Sequence, residues 1–158
     1  IFNFKFMKNL FSTIILTRFF SFSIFAQQLK LDPVKWDFSV NQVSEKEYEL
    51  VFDANMDKGW YLYSQDMEDD GPVPTTFNFD ENTTIQLADS IAEVGELKEG
   101  YDELFEMNIK KYADKVSFTT LISVLDTTNK VITGHVRYMT CEEQRCLPPK
   151  ELPFEFKF

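Results

Sequence analysis

The 158-residue chain has only two cysteines and one histidine, His135, and its 16 Lys and Arg are outnumbered by 26 Asp and Glu. A closed zinc site takes four nitrogen or sulfur ligands. Two cysteines and one histidine cannot fill it, so metal chemistry is set aside. The shortage of positive charge is deeper than the net charge of −10 suggests. Lys5, Lys8 and Arg18 fall within the first 26 residues, where there is no acid, so the remainder holds 13 basic against 26 acidic side chains, a formal charge of −13. Such a body repels phosphate backbones and anionic lipid surfaces, which argues against nucleic acid as a partner. Internal repeats and low-complexity linkers are also missing. No stretch holds a sustained helical period, and residues 96–111 are the one helix-or-loop candidate. The length allows one ordinary domain and a short leader.

Residues 1–26 read as upstream sequence plus an export signal, and residues 27–158 as the mature domain. Eight of the 17 phenylalanines fall in this leader. Met7, Lys8 and Asn9 supply a start with a positive flank, residues 10–25 an apolar run, and Ala26 a small residue before polar Gln27 and Gln28. Arg18 interrupts the run, and Ile24 is larger than usual two places before a cleavage site. A membrane anchor is the alternative, but the uninterrupted run is shorter than the ~20 apolar residues a span needs. Residues 1–6, which precede Met7, read as sequence upstream of the start or as a fragment edge. Export puts the two cysteines in an oxidising compartment, where a close pair is normally a disulfide.

Strand patterns follow the leader. Val34, Trp36, Phe38 and Val40 alternate with Lys35, Asp37 and Ser39, the period of a half-buried strand. Tyr48, Leu50, Phe52 and Ala54 alternate again after a turn at 44–47. Asp57-Lys58-Gly59 turns the chain into an aromatic strand, Trp60-Tyr61-Leu62-Tyr63. Residues 65–74, acidic and carrying Gly71, Pro72 and Pro74, make a loop. Short strands are expected at 75–79 and 84–87, then the longest clean alternation: Val116, Phe118, Thr120, Ile122, Val124. After a turn at 126–129 come a strand over 131–140 and a last one through Leu152, Phe154, Phe156 and Phe158. Short strands at regular spacing, with turn residues between them, predict an all-β antiparallel sandwich.

Cys141 and Cys146 end the penultimate strand and enclose Glu142-Glu143-Gln144-Arg145. Four-residue connections are common in hairpins, and residues flanking one face each other at a distance a disulfide can span. The loop so closed is short, and the unfolded-state entropy removed is on the order of 2 kcal/mol, low for a disulfide. A bridge that staples so little is a plausible redox centre. Spacing alone nevertheless favours a structural bridge, because C-x4-C is not a specific motif.

Residues 141–149, together with Gly59-Trp60-Tyr61-Leu62-Tyr63-Ser64-Gln65, Gly71-Pro72-Val73-Pro74-Thr75 and Tyr101-Asp102-Glu103-Leu104-Phe105-Glu106, resemble the N-terminal periplasmic domain of DsbD-type thiol:disulfide interchange proteins. The Gly-Trp-Tyr-Leu-Tyr-Ser-Gln wording is similar to that of the Bacteroidetes branch. The resemblance runs from about Val34 to Phe158. It implies an immunoglobulin-like sandwich in the periplasm whose cysteine pair cycles between disulfide and dithiol with no bound cofactor. It implies electrons arriving from a thioredoxin-like donor domain, in the same or a separate chain. They leave to a periplasmic disulfide isomerase or a cytochrome c maturation thioredoxin, and the membrane is reached only through a linked or partner domain. Cys146 would form the mixed disulfide with partners and Cys141 would resolve it. Asp102, Glu103, Leu104 and Phe105 would belong to a lid, with Phe105 covering the pair and Leu104 as the alternative. Tyr61 and Tyr63 would lie beside the cysteines. Family members continue into a membrane-embedded region and a second thioredoxin-like domain, so this chain is expected to be either a truncation or a free-standing version.

Local chemistry points the same way for the two sulfurs. Arg145 precedes Cys146 and can stabilise its thiolate, whereas Glu142 and Glu143 disfavour one on Cys141. Pro148 and Pro149 stiffen the chain beyond Cys146. Asp102 and Glu103, if close to the pair, would raise the thiol pKa values. His135 reads as an ordinary strand histidine. Glu68 to Gly71 reads as a solvated turn, since it lacks the alternating ligands of a calcium loop. The rival to a relay is a non-catalytic secreted sandwich that binds a partner and carries a structural bridge. A redox titration separates them. The relay pair is expected to equilibrate with glutathione or thioredoxin, whereas a midpoint below about −300 mV marks a structural bridge.

Overall fold

Ten strands form among residues 31–68, 70–126 and 131–158, which the computed structural model describes; the leader and its cleavage site lie outside the described residues. They are β1 (Val34–Gln42), β2 (Glu47–Met56), β3 (Tyr61–Tyr63), β4 (Thr76–Phe79), β5 (Ile85–Leu87), β6 (Ala92–Asp102), β7 (Met107–Val124), β8 (Val131–Tyr138), β9 (Thr140–Cys141) and β10 (Lys150–Lys157). All pairings are antiparallel. One sheet runs β1-β2-β7-β3-β9, with β5 and β6 also paired to β7; the other runs β10-β8-β4. The architecture is the sandwich that the alternation predicts.

The apolar residues of that alternation fill the space between the sheets. Leu50 and Phe52 of β2 and Val116 and Phe118 of β7 meet Val136 of β8 and Phe154 of β10. Phe52 is the hub, fully buried, with ring centroids 4.6 Å from Phe77, 5.0 Å from Phe154 and 5.0 Å from Phe156. Burying one such ring contributes about 1.5–3 kcal/mol, and the ring-on-ring geometry adds to it. His135 sits mid-β8 between Pro153 of β10 and Asn78 of β4, in an ordinary ladder position.

β7 is far longer than the 116–124 alternation indicates, because it serves two neighbours in succession. Lys115 pairs with Asn55 of β2, while Ala113 already pairs with Tyr61 of β3. Between them Asp114 adopts a left-handed backbone, φ 60°. On the opposite edge the β6 register slips between Gly95 and Leu97. This is a β-bulge, which bends the strand and re-aims it. Gly95 permits it: a Cβ there would stand 3.2 Å from the Lys115 carbonyl oxygen and 3.2 Å from the Tyr112 ring.

The helix-or-loop reading of 96–111 is corrected here. The segment is the end of β6, a tight turn and the start of β7. Most of β6 is exposed, so no buried face imposed an alternation on it. The ladder to β7 holds it as a strand without the apolar period that reveals the others.

Gly134 marks where the second sheet is tightest. A Cβ there would lie 2.2 Å from the Asn78 carbonyl oxygen and 2.6 Å from Phe154 Cζ. Backbone and a core ring cannot both move aside, so Gly134→Ala is expected to cost about 3 kcal/mol or more, the upper end for overpacking. Urea melts of parent and variant measure it; a loss under about 0.5 kcal/mol would contradict the close packing.

Candidate functional site

Beyond the bulge, β7 carries Met107, Ile109 and Lys111 onto the face opposite the main core. Tyr63 pairs with Lys111, and Tyr61 pairs with both Ala113 and Cys141. Strand period 2 splits β3: Leu62 joins the main core, while Tyr63 joins a second cluster with Ile109 and Cys141. The cysteines thus rest on the same strand that fills the sandwich, one half-strand further on.

Cys141 and Cys146 are disulfide-bonded, with Cα atoms 4.0 Å apart. The hairpin is closed by the Glu142 N–H donating to the Arg145 carbonyl and the Leu147 N–H donating to the Thr140 carbonyl, each at 2.9 Å. Thr140 Oγ1 donates to the Tyr61 carbonyl at 2.7 Å, tying β9 to β3. The two cysteines differ in exposure. Cys141 is 2% exposed and Cys146 is partly exposed.

A second four-residue turn meets this hairpin. Asp102 pairs with Met107 and encloses Glu103, Leu104, Phe105 and Glu106, the last in a left-handed conformation at φ 55°. Asp102 Oδ1 accepts the Leu104 N–H at 3.0 Å and Oδ2 accepts from Lys111 Nζ at 2.9 Å. Phe105 is partly buried in the cluster that holds the cysteine pair, edge-on to Tyr63 with centroids 5.9 Å apart. Leu104 points outward, 54% exposed, and Glu103 is exposed. Tyr61 lies beneath Lys111, whose Nζ is 4.4 Å from the ring centroid. Arg145, expected beside the Cys146 sulfur, instead pairs with Glu142 and stands over the Trp60 ring at 5.7 Å.

The electrostatics follow from this packing. Burial pushes the Tyr63 hydroxyl well up, and the Asp102 charge adds to it, so the phenol stays neutral. For Asp102, burial opposes the charged form. The Lys111 hydrogen bond, the backbone N–H groups of Leu104 and Phe105 and the Lys111 charge outweigh that, holding its carboxyl below the usual range. Sequence reasoning missed the thioethers. Met67, Met107 and Met139 all pack on this cluster, and nothing in their spacing reveals it, since each arrives on a different element.

A family model described as thiol:disulfide interchange protein DsbD, N-terminal, matches residues 26–157. Among solved structures, the chain is similar to the N-terminal periplasmic domain of ScsB from Proteus mirabilis, at TM-score 0.61 and 12% identity. That match covers 80% of this chain and 47% of the other, so the chain spans about half the length of the ScsB structure. It is also similar to the DsbD N-terminal domain of Neisseria meningitidis in its reduced form, at TM-score 0.51 and 14% identity, over 78% of this chain and 85% of that one. The fold is the immunoglobulin-like sandwich. No curated protein matches.

The depressed Asp102 pKa links stability to pH. Its folded value lies below the unfolded one, so the contribution is complete above the unfolded carboxylate range and is lost as pH falls through the folded value. Asp102→Asn is expected to lower stability at neutral pH and to flatten the decline between about pH 5 and pH 3. Urea melts across that window check it, and parallel curves for parent and variant would refute it.

Proposed function

The chain belongs to the family of N-terminal domains of DsbD thiol:disulfide interchange proteins, and on that premise we propose that it is a periplasmic electron relay acting as a component of a protein-disulfide reductase. The observation that carries the reading is the asymmetric pair: Cys141 is buried and Cys146 partly exposed, and an aromatic ring from a separate turn packs on the cluster that holds them. A structural staple has no need of such a cover.

In the reducing step, the Cys146 thiolate attacks a partner disulfide. An S–S bond forms between the proteins and the partner's first sulfur leaves as thiolate. Cys141 then attacks Cys146, closing the disulfide and releasing the partner's second thiolate. Two electrons pass to the partner, and the pair's two protons go to the departing thiolates or to water. Reloading from a thioredoxin-like donor runs the same steps backwards. The greater exposure of Cys146 supports giving it the attack, because the attacking sulfur must be reached in line.

Phe105 is the shield and Leu104 is not: Phe105 packs edge-on to Tyr63, while Leu104 faces solvent. Asp102 positions the turn through Lys111 and its own backbone contacts. The neutral Tyr63 and the adjoining Tyr61 form the floor. With the ring in place the pair is kept from small oxidants; a docking partner displaces it. The acceptor is a periplasmic disulfide isomerase or cytochrome c maturation thioredoxin.

Single-cysteine variants test the roles. With a thioredoxin whose resolving cysteine has been removed and whose remaining cysteine carries a thionitrobenzoate mixed disulfide, Cys141→Ser is expected to displace thionitrobenzoate and accumulate the protein–protein disulfide on the order of tenfold faster than Cys146→Ser. Non-reducing gels read the product. Equal trapping by both variants refutes the assignment, and trapping by neither refutes the relay.

A further inference from the structure

Resting on the relay reading, we propose that the surface around Cys146 selects its partners by charge, and fits a redox protein whose own active cysteine lies amid Lys and Arg side chains. Two independent observations meet there. The centre is apolar: Met67, Phe105, Met107 and Met139 are partly buried on the cluster that holds the pair. Unbranched thioethers adapt to a partner's contour, as in other methionine-lined contact surfaces. The rim is acidic beyond what local bases neutralise.

Three of the bases near the pair are already engaged. Lys110 pairs with Asp66, Lys111 with Asp102 and Arg145 with Glu142. Lys58 shares a hollow with Glu142 and Glu143. Five exposed carboxylates, Glu68, Asp70, Glu103, Glu106 and Glu143, are left without an ion pair among the described residues, against two exposed bases, Lys58 and Lys98, the latter cross-strand from Lys111. Glu103 and Glu106 lie within two residues of Phe105, a span of at most about 7 Å, inside the Debye length of roughly 8 Å at physiological salt. The turn bearing Glu68 and Asp70 rests on the same cluster. At Gly71 a Cβ would touch Met107 Sδ at 3.3 Å and Met67 Cε at 3.4 Å.

Such a rim acts twice. It draws a cationic surface towards an apolar contact patch, the core-and-rim arrangement of protein interfaces. It also repels acidic surfaces, so a partner without the matching positive charge is turned away before it docks.

The test uses small disulfides that differ in charge. The reduced protein is mixed in stopped flow with cystamine, a dication, with bis(2-hydroxyethyl) disulfide, neutral, or with dithiodiglycolate, a dianion. Each rate is divided by that of 2-mercaptoethanol with the same disulfide. In every case the pair is oxidised to Cys141–Cys146 and the probe is reduced to two thiols. Cystamine is expected to exceed dithiodiglycolate by about tenfold or more at 10 mM salt, falling to under about twofold at 1 M salt. Combining Glu68→Gln, Asp70→Asn, Glu103→Gln and Glu106→Gln is expected to remove most of that preference. A control with Glu45→Gln, Glu49→Gln, Glu81→Gln and Asp89→Asn, near the other end of β7, is expected to keep it. Equal normalised rates for the parent protein at low salt, or a preference lost equally in the control, overturn the charge inference and leave the relay standing. No oxidation by even the neutral disulfide overturns the relay, and the charge inference with it.

Discussion

Everything in this molecule hangs on β7. Its second half, from Lys115 to Ser123, is zipped to β2 and supplies Val116, Phe118 and Ile122 to the sandwich core. Its first half, Met107 to Ala113, underlies the disulfide. β2 and β3 share one edge of β7 in succession, and the irregularity at Asp114 opposite Gly95 falls where one gives way to the other. The stability of the sandwich is thereby transmitted to the redox end. Ile109 and Lys111 are held where they are because Phe118, six residues on from Tyr112, is locked among aromatic rings.

The redox end balances access against protection with short elements. β3 and β9 have three and two residues, too few to stand alone. They are fixed by side chains that bond backbone: Thr140 to the Tyr61 carbonyl, and Thr75 to the Tyr63 carbonyl at 2.6 Å. Glu93 accepts from Ser64 Oγ at 2.8 Å, the Gln65 N–H at 2.7 Å and the Tyr112 hydroxyl at 2.6 Å, which pins the exit from β3. On this rigid base sit two four-residue turns, one with the cysteines and one with Phe105. A turn opens more readily than a sheet, because little apolar area and few ladder bonds resist it. The two turns are therefore the parts of this end with least holding them.

Much of the fold was legible because half-buried strands leave a period of two. Tyr48, Leu50, Phe52 and Ala54, or Val116 to Val124, could be assigned from pattern alone. The residues of β6 could not: solvent lies on most of its surface, so Glu96, Lys98 and Glu99 carry no trace of the strand they form. The contrast between Phe105 and Leu104 was equally closed to pattern reading, since both are large apolar residues in one turn. Only the left-handed step at Glu106 and the Asp102 contacts decide which of them turns inward. Arg145 was misread for a related reason. Sequence neighbours suggest a thiolate partner, but its side chain reaches Glu142 and Trp60 instead.

By itself, then, the sequence determined the sandwich, through its alternation, and the bridging pair, through two cysteines at hairpin spacing in a chain that carries an export-like leader. It also determined the acidic character of the surface, because charge is a matter of composition. Tertiary structure alone decided that Cys141 is buried and Cys146 partly exposed. It also decided that a ring from a turn 36 residues before Cys141 packs on the cluster, and that three methionines from separate elements do the same. Those are properties of places rather than of neighbours in the chain, and they arise only once the bulge in β7 has brought the two hairpins together.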